Sequence, residues 1–386
     1  MNEFIHNMNL LYLAEDYPYS KVHHQLCRHI VSSEKNINVK VYTVLRANIL
    51  SNDLRSTYTD INYQVLSYKL GKAIKRYKYD FFFKIRRKTT WLIDKVDIKN
   101  IDMLYAATLF SEGAVAYQVY KSYAIPYVVV VRATDVNFYL KYMFHLWPLA
   151  WNILRFAHKI VFMTEAISQH FFSMGITLPV RTCVRQKMKV IPNGIEPYWI
   201  LNAKNKHHVL IPRRLLFIGT FNDNKNILTT MKVVERLSSR YEGLHLTLVG
   251  GGGNQHEKVL EYCKEHPKLF TFKGKILDSH ELSKVFAESD IFVMVSHSET
   301  FGLVYIEALS QGLPIIYSKG QGIDGTLKEK VGEAADSHSE KSIEDALVRL
   351  IDGYNQYSPI GKSLYRFSWD NIACNVMELI CKKIDY

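Results

Sequence analysis

Apolar and polar positions along the first half of the chain follow the periods of strands and helices in turn. Strand-like apolar runs occur at Met8–Ala14, Val39–Val44, Ile101–Ala106 and Pro126–Val131. The last is a continuous valine run, which is typical of a strand buried on both faces of a parallel sheet. Val22–Val31 has helical spacing between the first two runs. The pattern predicts an α/β domain.

The second half repeats the strand–helix unit several times. Predicted strands lie at Arg214–Ile218, Leu244–Val249, Leu269–Phe272 and Ile291–Val295, and predicted helices begin near Asn226 or span 255–264 and 280–287. This alternation is the pattern of a doubly wound parallel sheet. We therefore expect a second α/β domain.

A polar stretch separates the two halves. Asn202–His208 reads NAKNKHH and follows the strong turn formers Pro192 and Asn193-Gly194. We place the domain boundary near residue 200. The expected division is a first domain over 1–200, a second over 201–368, and a terminal helix over 369–386.

The composition fits a folded protein that needs no metal. With 386 residues, of which 48% are apolar and 13% aromatic, the chain can bury sizeable cores. Its five cysteines show no metal-ligand spacing, and there is no D-x-D pair. No uncharged apolar segment reaches the ~18 residues of a membrane span. We expect a cytoplasmic protein.

The positive charge is concentrated in the first half. Residues 1–200 carry the whole excess of +12, whereas residues 201–386 are balanced. The stretch 69–99 is especially basic and contains many aromatic residues, which is typical of surfaces that bind acidic lipid or nucleic acid. We favour an anionic membrane on the cytoplasmic face over nucleic acid. Helical spacing also predicts one or two helices over 66–92, for which a core-packing role is equally consistent.

The turn at residues 296–302 is the strongest candidate for a binding site. It follows the strand Ile291–Val295 and precedes a helix that extends to about Ser310. Open α/β sheets bind ligands at the carboxyl ends of their strands, and a helix start attracts anions. Glu299 lies in the turn and Glu307 about two helical turns later. Spacing alone favours Glu299 as a cap of the helix dipole and Glu307 as a solvated surface residue. The alternative is that the two carboxylates contact separate hydroxyl groups.

A resemblance to a known family favours the interpretation that Glu299 and Glu307 contact hydroxyl groups. Glu299-x7-Glu307, the intervening Phe301-Gly302-Leu303-Val304 and the following Gly312-Leu313-Pro314 resemble the signature of the GT4 group of retaining GT-B glycosyltransferases. Lys189–Ile195 is similar to another segment of that group. The resemblance implies two Rossmann-like domains facing each other across a cleft. The first domain would bind the acceptor and the second a nucleotide diphosphate-sugar, with the C-terminal helix crossing back to the first.

The resemblance also implies roles for individual residues. Glu307 would hold the ribose hydroxyls and Glu299 the sugar hydroxyls, while Lys225 and amides near the helix start would neutralise the departing diphosphate. Further donor contacts are expected at Phe301, Gly302, Leu303, Val304, Gly219, Thr220, Gly250, Gly251, Lys275 and Ile276.

Two of the departures from the family pattern concern candidate site residues. Arg132 stands where similar enzymes carry a histidine, with Asp135 matching the acid of the same turn. Thr220 stands where an arginine is usual. Arg132 is a candidate for neutralising the diphosphate, although a simple pairing with Asp135 is the alternative.

These observations together predict a metal-independent, retaining hexosyltransferase without a cofactor other than its donor. The acceptor would be a glycan or a lipid-linked glycan in cell-surface polysaccharide or lipopolysaccharide biosynthesis. Two alternatives remain open at this point: a non-catalytic nucleotide-sugar-binding partner of a related transferase, and a nucleotide-sugar epimerase on the same fold.

Overall fold

Two parallel β-sheets form the framework of the protein. The structure is a computed structural model that describes residues 8–33, 36–45, 64–69, 80–205, 209–357 and 361–381. It divides into two units. The first comprises the chain up to Met163, Ile167–Gly194 and the segment from Trp369 onward, and the second comprises Thr164–Ala166 and Ile195–Ser368.

The sheet of the first unit has seven parallel strands. They are β1 (Met8–Leu13), β2 (Ile37–Leu45), β3 (Gln64–Lys69), β4 (Met103–Ala106), β5 (Tyr127–Val131), β6 (Lys159–Phe162) and β7 (Met188–Val190). Their spatial order is β3-β2-β1-β4-β5-β6-β7. The order reverses direction at β1 and β4, which is the doubly wound arrangement expected from the sequence.

Helices connect these strands. They are α1 (Lys21–Ser33), α2 (Phe81–Lys95), α3 (Ser111–Tyr123), α4 (Trp147–Phe156), α5 (Glu165–Ser173) and α6 (Arg181–Lys187). Short helical turns occupy the region between β5 and α4.

The second unit contains a six-stranded parallel sheet. Its strands are β8 (Arg214–Gly219), β9 (His245–Gly250), β10 (Phe270–Phe272), β11 (Ile291–Val293), β12 (Ile315–Ser318) and β13 (Gly332–Ala335), in the order β10-β9-β8-β11-β12-β13. The helices are α7 (Pro197–Leu201), α8 (Ile227–Ser238), α9 (His256–Glu265), α10 (Ser279–Ala287), α11 (Leu303–Ser310) and α12 (Glu340–Asp352). The predicted fold class is confirmed.

Burial explains why the apolar runs form strands. All five residues of β5 are buried, as are the three of β11. A strand that is covered on both faces must be apolar at every position, so its sequence shows a continuous run and no alternation. This is the signal that made these strands predictable.

The C-terminal helix α13 (Trp369–Cys381) returns to the first unit, as expected, and packs on α1. Asp370 of α13 accepts a hydrogen bond from His29 at 2.7 Å, and Glu378 pairs with Lys189 at 2.8 Å. The Trp369 ring lies against Gly194, where an added Cβ would approach it to 2.5 Å. Glycine is therefore required at position 194 for α13 to pack in this position.

The predicted helix over 66–92 is partly wrong. Residues 66–69 belong to strand β3, which pairs with β2, and the helix begins only at Phe81 after an Asp80 cap. Residues 70–79 lie outside the described part of the chain. The spacing of three and four was misleading because apolar residues of a strand and of a later helix fell into one apparent period.

Strand β13 and helix α12 were not predicted from the sequence. The strand reads GEAA and has no strong strand signal. Gly332 is needed there because a Cβ would lie 1.9 Å from the Ile315 carbonyl oxygen of the neighbouring strand. None of the described helices is long and apolar enough to cross a membrane.

Gly194→Ala should lower the free energy of unfolding by about 1–3 kcal/mol, because the new methyl group must displace the Trp369 ring. Gly175→Ala is the matched control, since a Cβ at that exposed position meets nothing within 4 Å. Thermal melts of both variants check this expectation. Equal melting temperatures would show that α13 is not held at this contact.

Candidate functional site

The candidate site lies at the carboxyl edge of the second sheet. Strands β8 and β11 are neighbours and run parallel, so the turns that follow them lie side by side. The turn after β8 carries Lys225, and the turn after β11 carries Glu299. Two stretches that are far apart in sequence are thereby brought together.

Lys225 and Glu299 form an ion pair across these turns. The lysine Nζ lies 2.6 Å from Glu299 Oε2, and both side chains are largely shielded from solvent. The Glu299 main chain is fixed as well, because its carbonyl oxygen accepts the Gly322 N–H at 3.1 Å. A Cβ at Gly322 would lie 2.9 Å from Glu299 Cγ. The site thus presents a cation and an anion held at one place.

Asn224 links the same two turns and was not identified from the sequence. Its side-chain amide donates to the Ser298 carbonyl at 2.9 Å, and its Oδ1 accepts the Ser298 N–H at 2.9 Å. Its own carbonyl oxygen accepts the His297 N–H at 2.8 Å. The neighbouring Asn222 side chain caps the turn by accepting the Lys225 N–H. These bonds position Lys225 relative to Glu299.

Two histidines support this turn from the other side. The His297 ring stacks on His338, with centroids 4.5 Å apart and planes 14° from parallel. Its Nδ1 lies 3.2 Å from Ser337 Oγ. Burial and the neighbouring His338 lower the pKa of His297, so the stack is favoured when His297 is neutral.

Helix α11 begins directly after the turn. Gly302 precedes it with φ of +76°, a conformation that favours glycine, and a Cβ there would lie 2.5 Å from the Tyr305 ring. The first amides of the helix, including those of Leu303 and Val304, point along the axis with the positive end of the dipole. Phe301 is buried and anchors the turn. The arrangement suits an anion.

Glu307 lies further along α11 and is half-buried. Burial, together with the negative Glu196, raises the pKa of Glu307 to about 7. Proton uptake on this carboxylate stabilises the folded state in acid, and that contribution is lost as pH rises through about 7. Glu307 is thus not a fully solvated surface residue, and its part in binding stays a prediction. Glu196 was not identified from the sequence.

The glycine run after β9 has a structural reason. A Cβ at Gly250 would lie 1.9 Å from the Gly219 carbonyl oxygen, and one at Gly253 would lie 2.4 Å from the Phe221 carbonyl oxygen. Both glycines adopt positive φ. They are thus required by the close approach of the protein's own loops, while a Cβ at Gly252 would meet nothing within 4 Å.

The remaining predicted donor contacts border this loop. Gly250 donates to the Gly274 carbonyl at 2.9 Å, which places the segment with Lys275 and Ile276 beside it. Lys275 is exposed and Ile276 half-buried. Thr220 is exposed after β8. The second unit therefore gathers all the predicted donor residues along the ends of β8–β11.

Arg132 and Asp135 lie in the first unit, after β5. The buried Asp135 carboxylate accepts the N–H groups of Arg132 at 2.9 Å and of Leu109 at 3.1 Å. Burial raises the pKa of Asp135 to about 6. The Arg132 Nε donates to the Ala107 carbonyl at 2.7 Å. Asp135 thus binds the backbone N–H of Arg132, whereas the Arg132 guanidinium is hydrogen-bonded to the Ala107 carbonyl.

One group of potential metal ligands occurs within the described residues. Asp278, His280 and Glu281 converge at the start of α10, and all three are exposed. They lie outside the set of residues that resembles the family signature.

Solved structures share this architecture. A lipopolysaccharide outer core galactosyltransferase, WaaB, superposes with a TM-score of 0.70, covering 97% of this chain and 99% of that one at 15% identity. Sucrose-phosphate synthase from Thermosynechococcus elongatus gives 0.66, covering 96% and 98% at 16% identity. The protein therefore has the GT-B fold.

Sequence comparison supports the family resemblance for the second half of the chain. Residues 202–366 match the family described as glycosyl transferases group 1, so the GT4 resemblance is confirmed for this segment. A sulfoquinovosyl transferase, SQD2, of Arabidopsis thaliana is 25% identical over 62% of this chain and 46% of its own length. An uncharacterised glycosyltransferase, MJ1607, of Methanocaldococcus jannaschii is 25% identical over 64% and 67%. The chain thus matches about half of the first relative.

Asn224→Ala should lower the free energy of unfolding by about 1–2 kcal/mol, because two hydrogen bonds between the turns are lost. Asn202→Ala is the control, as its exposed side chain donates only to the Tyr198 carbonyl among the described residues. Calorimetric unfolding of the two variants compares them. An equal effect at both positions would mean that Asn224 does not join the turns.

Proposed function

We propose that the protein transfers a sugar from a nucleotide diphosphate-sugar to a hydroxyl of a glycan or lipid-linked acceptor, with retention of configuration. The observation that carries this proposal is the Lys225–Glu299 pair at the start of α11. A site with one cation, helix amides and a carboxylate matches the two ends of such a donor, its diphosphate and its sugar hydroxyls.

The donor would replace the ion pair with its own contacts. The diphosphate would take Lys225 and the α11 amides, and the sugar hydroxyls would take Glu299. The bond between the anomeric carbon and the diphosphate oxygen breaks, and the acceptor oxygen bonds to that carbon on the same face. The acceptor proton leaves with the nucleoside diphosphate. Positive charge already in place stabilises the leaving group without reorganisation.

The first unit would bind the acceptor, with Arg132 adding positive charge toward the diphosphate. A glycan or lipid-linked acceptor is supported by the name of one similar structure, a lipopolysaccharide outer core galactosyltransferase. We place the reaction in cell-surface polysaccharide biosynthesis, with a hexose as the transferred group.

One basic residue of the predicted membrane-binding stretch does not face solvent. Lys88 belongs to the basic stretch 69–99, but it is buried and pairs with Glu15 inside the first unit. Burial lowers the pKa of Lys88 to about 8. Arg86 and Arg87 on the same helix are exposed, and so is Phe82 at 54%. We propose that this exposed face of α2 contacts an anionic membrane on its cytoplasmic side.

Binding of the nucleotide-sugar tests the function directly. Glu307→Gln should weaken binding about tenfold or more, because a hydrogen bond from the ribose to a charged group is lost. Glu299→Ala should lower turnover. Glu257→Gln removes an exposed charge on α9 and serves as control. Thermal shift against a panel of nucleotide-sugars, followed by calorimetry, measures these effects. Unchanged affinity and rate in both site variants would show that Glu299 and Glu307 do not bind the donor.

The raised pKa of Glu307 predicts that nucleotide-sugar binding by the wild type depends on pH. Ribose hydroxyls that donate to Glu307 favour its charged form, so binding should release a proton near pH 7 and become tighter from pH 6 to pH 8. Glu307→Gln should lose this dependence. Calorimetry in buffers of different ionisation enthalpy counts the protons released. Proton uptake on binding would contradict the assignment.

We further propose that the reaction needs no metal ion, since Lys225 and the helix amides meet the diphosphate charge. Transfer should then continue in excess EDTA. A loss that Mg²⁺ or Mn²⁺ restores would refute this mechanism.

Vesicle binding tests the membrane face. Replacing Arg86 and Arg87 with Ser should weaken co-sedimentation with anionic vesicles by about 30-fold, since each basic residue near the surface contributes ~1 kcal/mol. Replacing Lys258 and Lys264 with Ser is the control, because these exposed lysines on α9 change the net charge equally. Lys88 stays unchanged to preserve the fold. Equal losses in both variants would show that no specific face binds.

A further inference from the structure

A buried histidine lies beside Arg132. His23 is part of α1 and is 2% exposed. Its Nε2 is 3.4 Å from a terminal nitrogen of the Arg132 guanidinium. The Nε of the same guanidinium donates to the Ala107 carbonyl. The arginine that stands in place of the family's histidine is therefore itself in contact with a histidine from another element.

The second ring nitrogen of His23 also has a partner. Its Nδ1 lies 2.7 Å from the hydroxyl of Tyr12, a buried residue of β1. The Tyr12 ring stacks on Tyr105 of β4, with centroids 5.1 Å apart and planes 8° from parallel. The histidine is thus oriented by Tyr12 of β1, whose own ring is packed on Tyr105 of β4.

The partners determine which nitrogen carries the proton. A guanidinium has only donors, so the Nε2 that faces it must offer its lone pair. The Nδ1 then carries the hydrogen and donates it to the Tyr12 oxygen. A neutral imidazole in this tautomer satisfies both contacts, whereas a doubly protonated ring would repel Arg132.

The surroundings favour the neutral ring. Burial and the positive Arg132 lower the pKa of His23. The other titratable groups near this cluster are Tyr12, Tyr105 and Cys27, and burial raises the pKa of each. The negative Glu112 of α3 raises the pKa of both Tyr12 and Asp135, whereas Arg132 is the charged group that lowers the pKa of His23.

The space around the pair is too small for a sugar. His23 and Arg132 line a cavity of about 20 Å³ in the first unit, together with Tyr12, Tyr105, Asn193 and Trp369. This volume accommodates about one water molecule. His23 therefore has no room to contact a substrate directly from this cavity, and any effect it has on the reaction passes through Arg132.

We propose that His23 is a positioning residue that fixes the direction of the Arg132 guanidinium by accepting its hydrogen bond as a neutral imidazole. The role in the reaction rests on the proposed function, because it requires Arg132 to stabilise the departing diphosphate. The contact itself does not depend on that function, so the two are tested separately.

The contact is tested by nuclear magnetic resonance of ¹⁵N-histidine-labelled full-length protein. In the wild type, the Nε2 of His23 should show the shift of an unprotonated nitrogen and Nδ1 that of a protonated one. In Arg132→Gln the pKa of His23 should rise, because a positive neighbour is removed. The opposite tautomer, or a pKa that Arg132→Gln leaves unchanged, would overturn the proposal whatever the enzyme's activity.

The role in turnover is tested by a double-mutant cycle. His23→Leu should reduce kcat about tenfold or more, and His23→Gln, which keeps an acceptor, should recover most of the loss. In the Arg132→Gln background His23→Leu should cause little further loss, since the group it positions is gone. His24→Leu controls for burial, because this neighbouring buried histidine contacts Tyr17.

The outcomes separate the two claims. Equal losses from His23→Leu with and without Arg132 would show a merely structural histidine and overturn the positioning role, while transfer by the wild type would leave the proposed function standing. Absence of binding and transfer with every nucleotide-sugar would refute the proposed function. The resonance measurement would still support or overturn the contact between His23 and Arg132 in that case.

Discussion

The ion pair between Lys225 and Glu299 depends on the parallel pairing of β8 with β11. Each strand delivers one charged residue to the same edge of the sheet, and Asn224 ties the two turns together through the Ser298 backbone. Such a pair, largely removed from water, requires each charge to remain compensated. A ligand that separates the two residues must therefore bring a negative group to Lys225 and hydrogen-bond donors or positive charge to Glu299. The proposed donor meets this requirement with its diphosphate and its sugar hydroxyls.

The sequence predicted the framework of the fold because buried parallel strands need continuous apolar runs. The sequence also marked Lys225, Glu299 and Glu307 as candidate site residues. The two glutamates share the Glu299-x7-Glu307 spacing, and Lys225 was named from a separate segment that resembles the family. Asn224, His338 and Glu196 were missed, because each acts on a residue that is distant in sequence and has no motif of its own. His23 was missed for the same reason, as its partners come from β1 and from the end of β5.

Lys88 shows why composition alone misjudges a basic stretch. In the sequence it is one more positive charge between Arg87 and a run of polar residues, yet in the fold it is buried against Glu15. Helical periodicity assigns it to a face only when the helix boundaries are known. The predicted apolar series correctly included Ile85, which is buried with Lys88 in α2, but its start at residue 66 was wrong because β3 occupies those first residues.

The configuration of the product tests the central claim most directly. The protein is incubated with a nucleotide-sugar that it binds and with a hydroxyl acceptor, and the anomeric proton of the product is followed by nuclear magnetic resonance. The proposed reaction predicts a new glycoside with the donor's anomeric configuration, together with one free nucleoside diphosphate per glycoside. An inverted glycoside, or an epimerised nucleotide-sugar without release of the diphosphate, would contradict it.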